Sequence, residues 1–239
     1  MSEFPHPVRL PGEPALRGEP YASPDRGEPP AVVDDDVDLF GAEAAAGDLT
    51  KRIERVQPSD VRLAADGRLM LSPPFDVDRD RVAGLRQARA TLVVFAAYGT
   101  PASRPLASVL THVLEHDPTT VRVAWRHYPD PVAHPRAVVL ALAAEAAGAR
   151  GRFWTLTREL LRMRHHDPAD LHAALVRVGL DPERTIDAMR AGTGSDRIVA
   201  DVASARASGV TYSPALFVNG ERYRGELDPA AVSAAMRAS

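Results

Sequence analysis

Apolar positions from residue 66 onward follow two alternating periods. Thr91-Leu-Val-Val-Phe-Ala-Ala97 is an unbroken apolar run of strand length, which predicts a strand buried on both faces and continuing to Tyr98. Gly67-Arg-Leu-Met-Leu-Ser72 reads as a first short strand, and Ser72 to Gly84 as a proline-rich approach to the next. Thr120 to Tyr128 is a strand that breaks at Pro129. Between the strands the period changes to that of a helix. Pro101 opens it, and Leu106, Val109, Leu110, Val113 and Leu114 share one face as far as His116. A long helical block follows, His134 to about Ser208, punctuated by Gly151, Asp167-Pro168, Asp181-Pro182 and Gly192-Thr-Gly194, which predicts four or five helices. Asn219-Gly220 sits at the turn of a hairpin, and Asp228-Pro229 starts a closing helix. The order β–α–β, helical block, β-hairpin, α predicts an α/β fold: a mixed four-stranded central sheet of thioredoxin type with an inserted all-helical subdomain over about 134–208.

The N-terminal quarter reads differently. Residues 1–40 hold 8 of the 21 prolines, a loose Gly-Glu-Pro repeat, and 3 Arg against 9 Asp or Glu. Such a segment buries too little apolar surface to offset chain entropy and is expected to be disordered. Val32 to Phe40, "VVDDDVDLF", alternates acid with apolar residues and reads as solvated linker or as a short docking motif. Gly41 to Val56 is a weakly amphipathic helix through Leu49, Ile53 and Val56. The division expected is therefore a tail over 1–60 containing that short helix, and a folded domain over 61–239.

Composition narrows the chemistry. The 239 residues contain no cysteine, which excludes disulfides, thiolate metal sites and thiol nucleophiles together. Net charge is −3, with all but one of the basic residues Arg, so no nucleic-acid partner is implied. No basic-then-apolar leader and no 18-residue apolar run is present, which predicts a cytoplasmic protein without membrane insertion.

The strand-to-helix corner Tyr98-Gly-Thr-Pro-Ala-Ser103 lies where α/β proteins often keep their chemistry, yet it offers only hydroxyls. The stretches "DVDRDRVAG", "TLVVFAAYGTPAS", "VAWRHYPDPVAHPRA", "AAEAAGARGRFWTLTREL" and "RIVADVASARASGVTYSPALFVNGERYRG" carry a resemblance. From about Pro73 to its end the chain resembles the DsbA-like thioredoxin family, in the branch found alone or fused behind NhaA-type sodium/proton antiporters. The resemblance implies that Thr100, Pro101 and Ser103 stand where the family has Cys, Pro and Cys, and that Val94 and Ala97 stand where it has acids. Disulfide exchange needs a thiolate, so the dithiol reaction is excluded at this degenerate site. A Thr at the first position and the absence of the flanking acids mark a natural loss rather than an engineered pair. The resemblance further implies a cis proline at Pro214, preceded by Ser213. A peptide-binding groove is expected beside it, with Tyr98, Thr100, Ser103, Tyr212, Ser213 and Pro214 as the binding residues.

Other motifs carry less. "HVLEH", His112 to His116, has the spacing of a metalloprotease motif, but its histidines fall at the edge or solvent side of the helix, and no metal site is assigned. His165-His166 reads as a surface loop and Phe153-Trp154 as core packing. His127 is expected to set the strand exit, or else to lie near the groove mouth as an acid or base. Three functions follow. One is a redox-inactive protein that binds a peptide or protein partner and needs no cofactor. The second is a glutathione-dependent transferase or isomerase of kappa-like type, using a hydroxyl in place of the cysteine. The third is a regulatory module beside an ion antiporter.

Overall fold

The computed structural model of the chain describes residues 40–238; the first 39 residues of the tail expected over 1–60, with most of its acidic motif, lie outside them. Helix α1 (Phe40–Glu54) comes first, followed by strands β1 (Arg81–Gly84) and β2 (Ala90–Ala96). A single 3-10 turn, Pro101–Ser103, leads into α2 (Leu106–His116) and β3 (Val121–His127). Five helices follow: α3 (Arg136–Gly148), α4 (Phe153–Arg162), α5 (Pro168–Arg177), α6 (Pro182–Arg190) and α7 (Ser195–Ala207). The hairpin β4 (Ala215–Val218) and β5 (Glu221–Arg222) and the helix α8 (Pro229–Ala238) close the chain.

The strands form one mixed sheet in the order β1-β3-β2-β4-β5. β2 and β3 are parallel across the α2 crossover, and every other pair is antiparallel. This is the expected thioredoxin arrangement with a fifth strand added at one edge. That strand is Arg81–Gly84, inside the stretch expected to be an approach loop. Gly67–Ser72, expected to be a strand, makes only isolated bridges, Leu63 with Leu69 and Met70 with Glu221. The expected helix from Pro101 is broken into a turn and α2, because Pro105 follows the turn and takes the cap position of α2.

β2 is buried throughout, and its side chains alternate between two cores. Leu92, Val94 and Ala96 join the large core beneath α2, α3, α4 and α8. Val93 and Phe95 join a smaller core with Ala124 and Phe217, where the two phenylalanine rings meet edge to face at 5.7 Å. The helices start where Asp-Pro pairs predicted. The Asp167 side chain accepts from the Asp170 N–H at the head of α5, and that of Asp181 from the Arg184 N–H at the head of α6. At the hairpin, Asn219 and Gly220 both have positive φ, 48° and 87°, and the Asn219 carboxamide oxygen accepts from the Thr91 N–H of β2.

The boundary expected near residue 60 is revised. α1 buries Ala42, Ala46, Leu49 and Ile53 in the large core and packs on α3, α6 and α7. Its stripe is half alanine, which gives little hydrophobic contrast in sequence but allows helices to approach closely. Arg206 of α7 donates to the Ile53 carbonyl at the end of α1, at 3.3 Å. Replacing Leu49, 1% exposed, with Ala is therefore expected to cost about 2–5 kcal/mol in urea unfolding. A loss below about 1 kcal/mol, the surface range, would mean that α1 is not part of the cooperative core.

Candidate functional site

The corner after β2 turns at Gly99, whose φ of +73° puts it in the left-handed region, where a Cβ would also press on Leu140 at 3.0 Å. Thr100 then caps the 3-10 turn. Its Oγ1 accepts from the Ser103 N–H at 3.3 Å and donates to the Ser103 Oγ at 2.9 Å. Ser103 is 1% exposed and Thr100 7%, so the two hydroxyls are buried and satisfied largely by each other. Neither is hydrogen-bonded to a carboxylate or an imidazole among the described residues. No base is in place to activate either one.

A cleft of about 590 Å³ opens beside this corner. Thr100, Pro101 and Ala102 form one side, and Thr211, Tyr212 and Ser213 the other. The loop from Tyr128 to Val132 and the end of α1, Ile53 and Glu54, complete the walls. The Ser213–Pro214 peptide is cis, and the Ser213 Oγ accepts from the Ala97 N–H at 3.1 Å, which ties this loop to the end of β2. Tyr212 is 65% exposed, with the Arg222 guanidinium 5.3 Å from its ring centre. Of the residues expected to bind, Thr100, Tyr212 and Ser213 thus meet at the cleft. Ser103 is turned inward, and Pro214, half-buried, does not line the cleft. Tyr98 points into the protein: its ring stacks on Trp125 at 4.8 Å and its hydroxyl is hydrogen-bonded to Thr157 at 2.8 Å. Burial pushes the Tyr98 phenol well above its usual range.

Beneath the corner lies a polar layer that sequence reasoning missed. His127 is not at the groove mouth. It is buried, accepts from the Trp125 indole N–H on Nδ1 at 3.3 Å, and shares a hydrogen bond with Glu145 through Nε2 at 3.1 Å. Glu145 rises from the middle of the alanine-rich α3 and also meets the Arg81 and Arg197 guanidinia. Room for its side chain exists because Gly194, at φ +82°, has no Cβ; one there would lie 2.3 Å from the Glu145 Cβ. Burial alone would push the Glu145 carboxyl up; hydrogen bonds from His127 and Arg81 reverse this and hold it at about 2. Asp201 of α7 accepts from the His127 backbone N–H at 2.9 Å, yet burial pushes its carboxyl up to about 7. A lone Glu in an apolar helix and a lone Asp on the buried stripe of another were the available signals.

His112 and His116 stack at 3.8 Å on the outer side of α2, and among the described residues no group of three or more potential ligands could hold a metal ion. Phe153 is buried as expected, whereas Trp154 is only half-buried. No described helix is long and apolar enough to cross a membrane.

Residues 76–238 match the family described as Thioredoxin. The chain is 39% identical over 176 residues to the Na(+)/H(+) antiporter NhaA 3 of Salinispora tropica, a match that covers 72% of this chain and 26% of that protein. It therefore spans about a quarter of the length of such antiporter relatives. Among solved structures it superposes on BdbD from Bacillus subtilis with a TM-score of 0.61 at 17% identity, covering 71% of this chain and 97% of that one. It also superposes on a thioredoxin-like oxidoreductase from Silicibacter pomeroyi, with a TM-score of 0.60 at 22% identity, covering 67% and 91%.

The polar layer makes stability depend on pH in a defined sense. Asp201 titrates near 7 when folded against an ordinary 3.8, so between about pH 4 and 7 the folded protein holds a proton that the unfolded chain has released. Its contribution to stability falls as pH rises through that window. Asp201→Asn keeps an acceptor for the His127 N–H and removes the titration. Relative to the natural chain, the variant should gain about 2–4 kcal/mol between pH 4 and pH 8 in urea unfolding. A stability difference that is the same at both pH values would contradict this.

Proposed function

The chain belongs to the thioredoxin family that its residues 76–238 match, and it shares that stretch with proteins named as NhaA antiporters; from that premise we propose that it is a redox-inactive member that binds a protein or peptide partner in the cleft beside Ser213 and Pro214. One observation carries this reading: at the corner, two buried hydroxyls are hydrogen-bonded to each other, while the cleft next to them stays open at about 590 Å³. The corner lacks the sulfur that exchange requires. An extended segment in the cleft would pair with the backbone of Thr211–Ser213, with Tyr212 as an exposed aromatic contact. A cytoplasmic location and the absence of a cofactor belong to the same reading.

The glutathione reading draws support from Thr100, which lines the cleft where a thiolate would need a hydroxyl donor. Its hydroxyl hydrogen is engaged by Ser103, which weakens that support. The antiporter reading draws support from the names of the relatives, and assigns this chain the role of a module that acts beside a transporter.

The purified protein is expected to show no insulin reduction above buffer. Thr100→Cys with Ser103→Cys should introduce partial redox cycling, because the corner geometry is kept while no carboxylate is hydrogen-bonded to it. Turnover by the natural chain that survives repurification would overturn the reading. Calorimetric titration with glutathione should give no heat of binding. Micromolar binding that is lost in Thr100→Val would establish the glutathione enzyme instead.

A further inference from the structure

A second surface lies on the far side of the corner, between α2 and α4. One end is a hollow of about 500 Å³ with Leu110, Leu114, Trp154 and Leu161 among its walls. The other is a hollow of about 670 Å³ next to the corner, walled by Arg104, Arg162, Arg164 and His165. Ala107, Leu161 and Arg162 belong to both, so the two hollows adjoin and present one surface between the helices. Its floor is apolar and its rim is basic: Arg104, Arg158, Arg162 and Arg164 are all exposed.

The charge on that rim is not neutralised. Among the described residues no carboxylate pairs with any of these four arginines, whereas Arg68, Arg86, Arg177 and Arg237 elsewhere on the surface each hold one. Glu159, one residue from Arg158, is taken by Arg177 of α5. Glu115 is the one acid in the groove wall. Arginine presents a planar fork of donors suited to carboxylates, and is among the residues enriched where proteins meet. An apolar floor with a one-signed rim selects a partner with both features. A concave trough between two helices receives a single chain segment rather than a flat bilayer.

We propose that the α2–α4 groove docks an acidic amphipathic segment of another polypeptide, with apolar side chains on the Leu110, Leu114 and Leu161 floor and carboxylates on Arg104, Arg158, Arg162 and Arg164. This surface is separate from the cleft at Thr100 and does not depend on its occupant. Trp154 lies in the groove while Trp125 is fully buried, so a change in tryptophan emission on binding reports from the groove.

The test uses the full chain and a fluorescein-labelled (Glu-Leu)6 peptide in an anisotropy titration. Saturable binding is expected, accompanied by a shift in Trp154 emission and weakened at least tenfold between 50 and 300 mM salt, since exposed charges are then screened. Oligo-glutamate of the same charge should bind at least tenfold more weakly, because it leaves the floor uncovered. Arg158→Glu with Arg162→Glu should weaken (Glu-Leu)6 at least tenfold. Arg89→Glu with Arg224→Glu, an equal change of net charge outside the groove, should weaken it less than threefold. Circular dichroism confirms that both variants fold. Should the groove pair fail to fold, Arg162→Gln with Arg164→Gln serves in its place. Absence of saturable binding, equal losses in the two charge pairs, or equal binding of oligo-glutamate would each overturn the proposal. So would a loss on Tyr212→Ala with none in the groove variant, which moves the peptide to the cleft. Binding to phosphatidylglycerol vesicles but to neither peptide would reassign the surface to lipid and overturn it equally.

Discussion

The Arg126 guanidinium is fully buried, and the layer that covers one face of the sheet is built on it. An unpaired charge in that position would be prohibitive. Here all five N–H donors are used: Nε and Nη2 on the two Asp80 oxygens at 2.9 and 3.0 Å, Nη1 on the Pro73 carbonyl and the Ser204 hydroxyl, and Nη2 again on the Pro74 carbonyl. These partners come from an irregular stretch before β1 and from α7, and tie both to β3. The irregular stretch has no ladder to satisfy the carbonyls it turns inward, and these must find donors elsewhere. Arg126 supplies them for Pro73 and Pro74; the hydroxyls of Ser204 and Ser208 supply them for Ser72. The small core of Val93, Phe95 and Phe217 is closed by this stretch and by the end of α7.

His127, the next residue of β3, points to the opposite face and repeats the device. It meets Glu145, which Arg81 and Arg197 hold from other elements. Consecutive strand residues thus send a polar group into each core, and each finds an acid distant in sequence. Buried ion pairs contribute little net stability against apolar replacements, but removing one partner is severe, on the order of 3–5 kcal/mol. Their effect is on position. β3 is fixed against α3 and α7, and Tyr98 stacks on Trp125 of that strand. The corner at Gly99 and Thr100 therefore rests on a layer tied together by buried ion pairs and ring stacking. Its shape is set from below as well as by the Thr100 cap.

This explains which parts of the molecule were legible in the sequence. Strand β2, the Asp-Pro helix starts and the Asn219-Gly220 turn announce themselves because each is a local solution to a backbone requirement. The number of helices between β3 and β4 follows from the same signals. α1 was placed outside the core because its buried stripe, Ala42 and Ala46 with Leu49 and Ile53, is too small-chained to stand out. β1 was hidden because a short edge strand needs no long apolar run. Arg126 was invisible for a stronger reason: alternation puts it on the face of Arg122 and Ala124, which reads as solvated, and nothing local reveals that residues 70–80 fold over it. At the site, the convergence of Thr100, Tyr212 and Ser213 was readable through resemblance. The inward turn of Ser103 and Tyr98 depended on Thr157 and the Trp125 stack, contacts that no spacing encodes.

The same division bears on what loss of sulfur does to such a fold. Disulfide exchange depends on two atoms at one corner, and their removal abolishes the reaction completely. The cleft beside them depends on the Ser213 link to Ala97, the packing of α1, and the buried layer under β3, none of which involves the corner side chains beyond Thr100 and Ser103. The hydroxyls that stand there satisfy each other, so the corner keeps its turn without leaving a buried donor unmatched. Chemistry and shape are therefore separable in this protein. A surface held by Arg126, Glu145 and the two cores needs no thiol for its shape, and a concave surface with an exposed aromatic at its edge suits the binding proposed above.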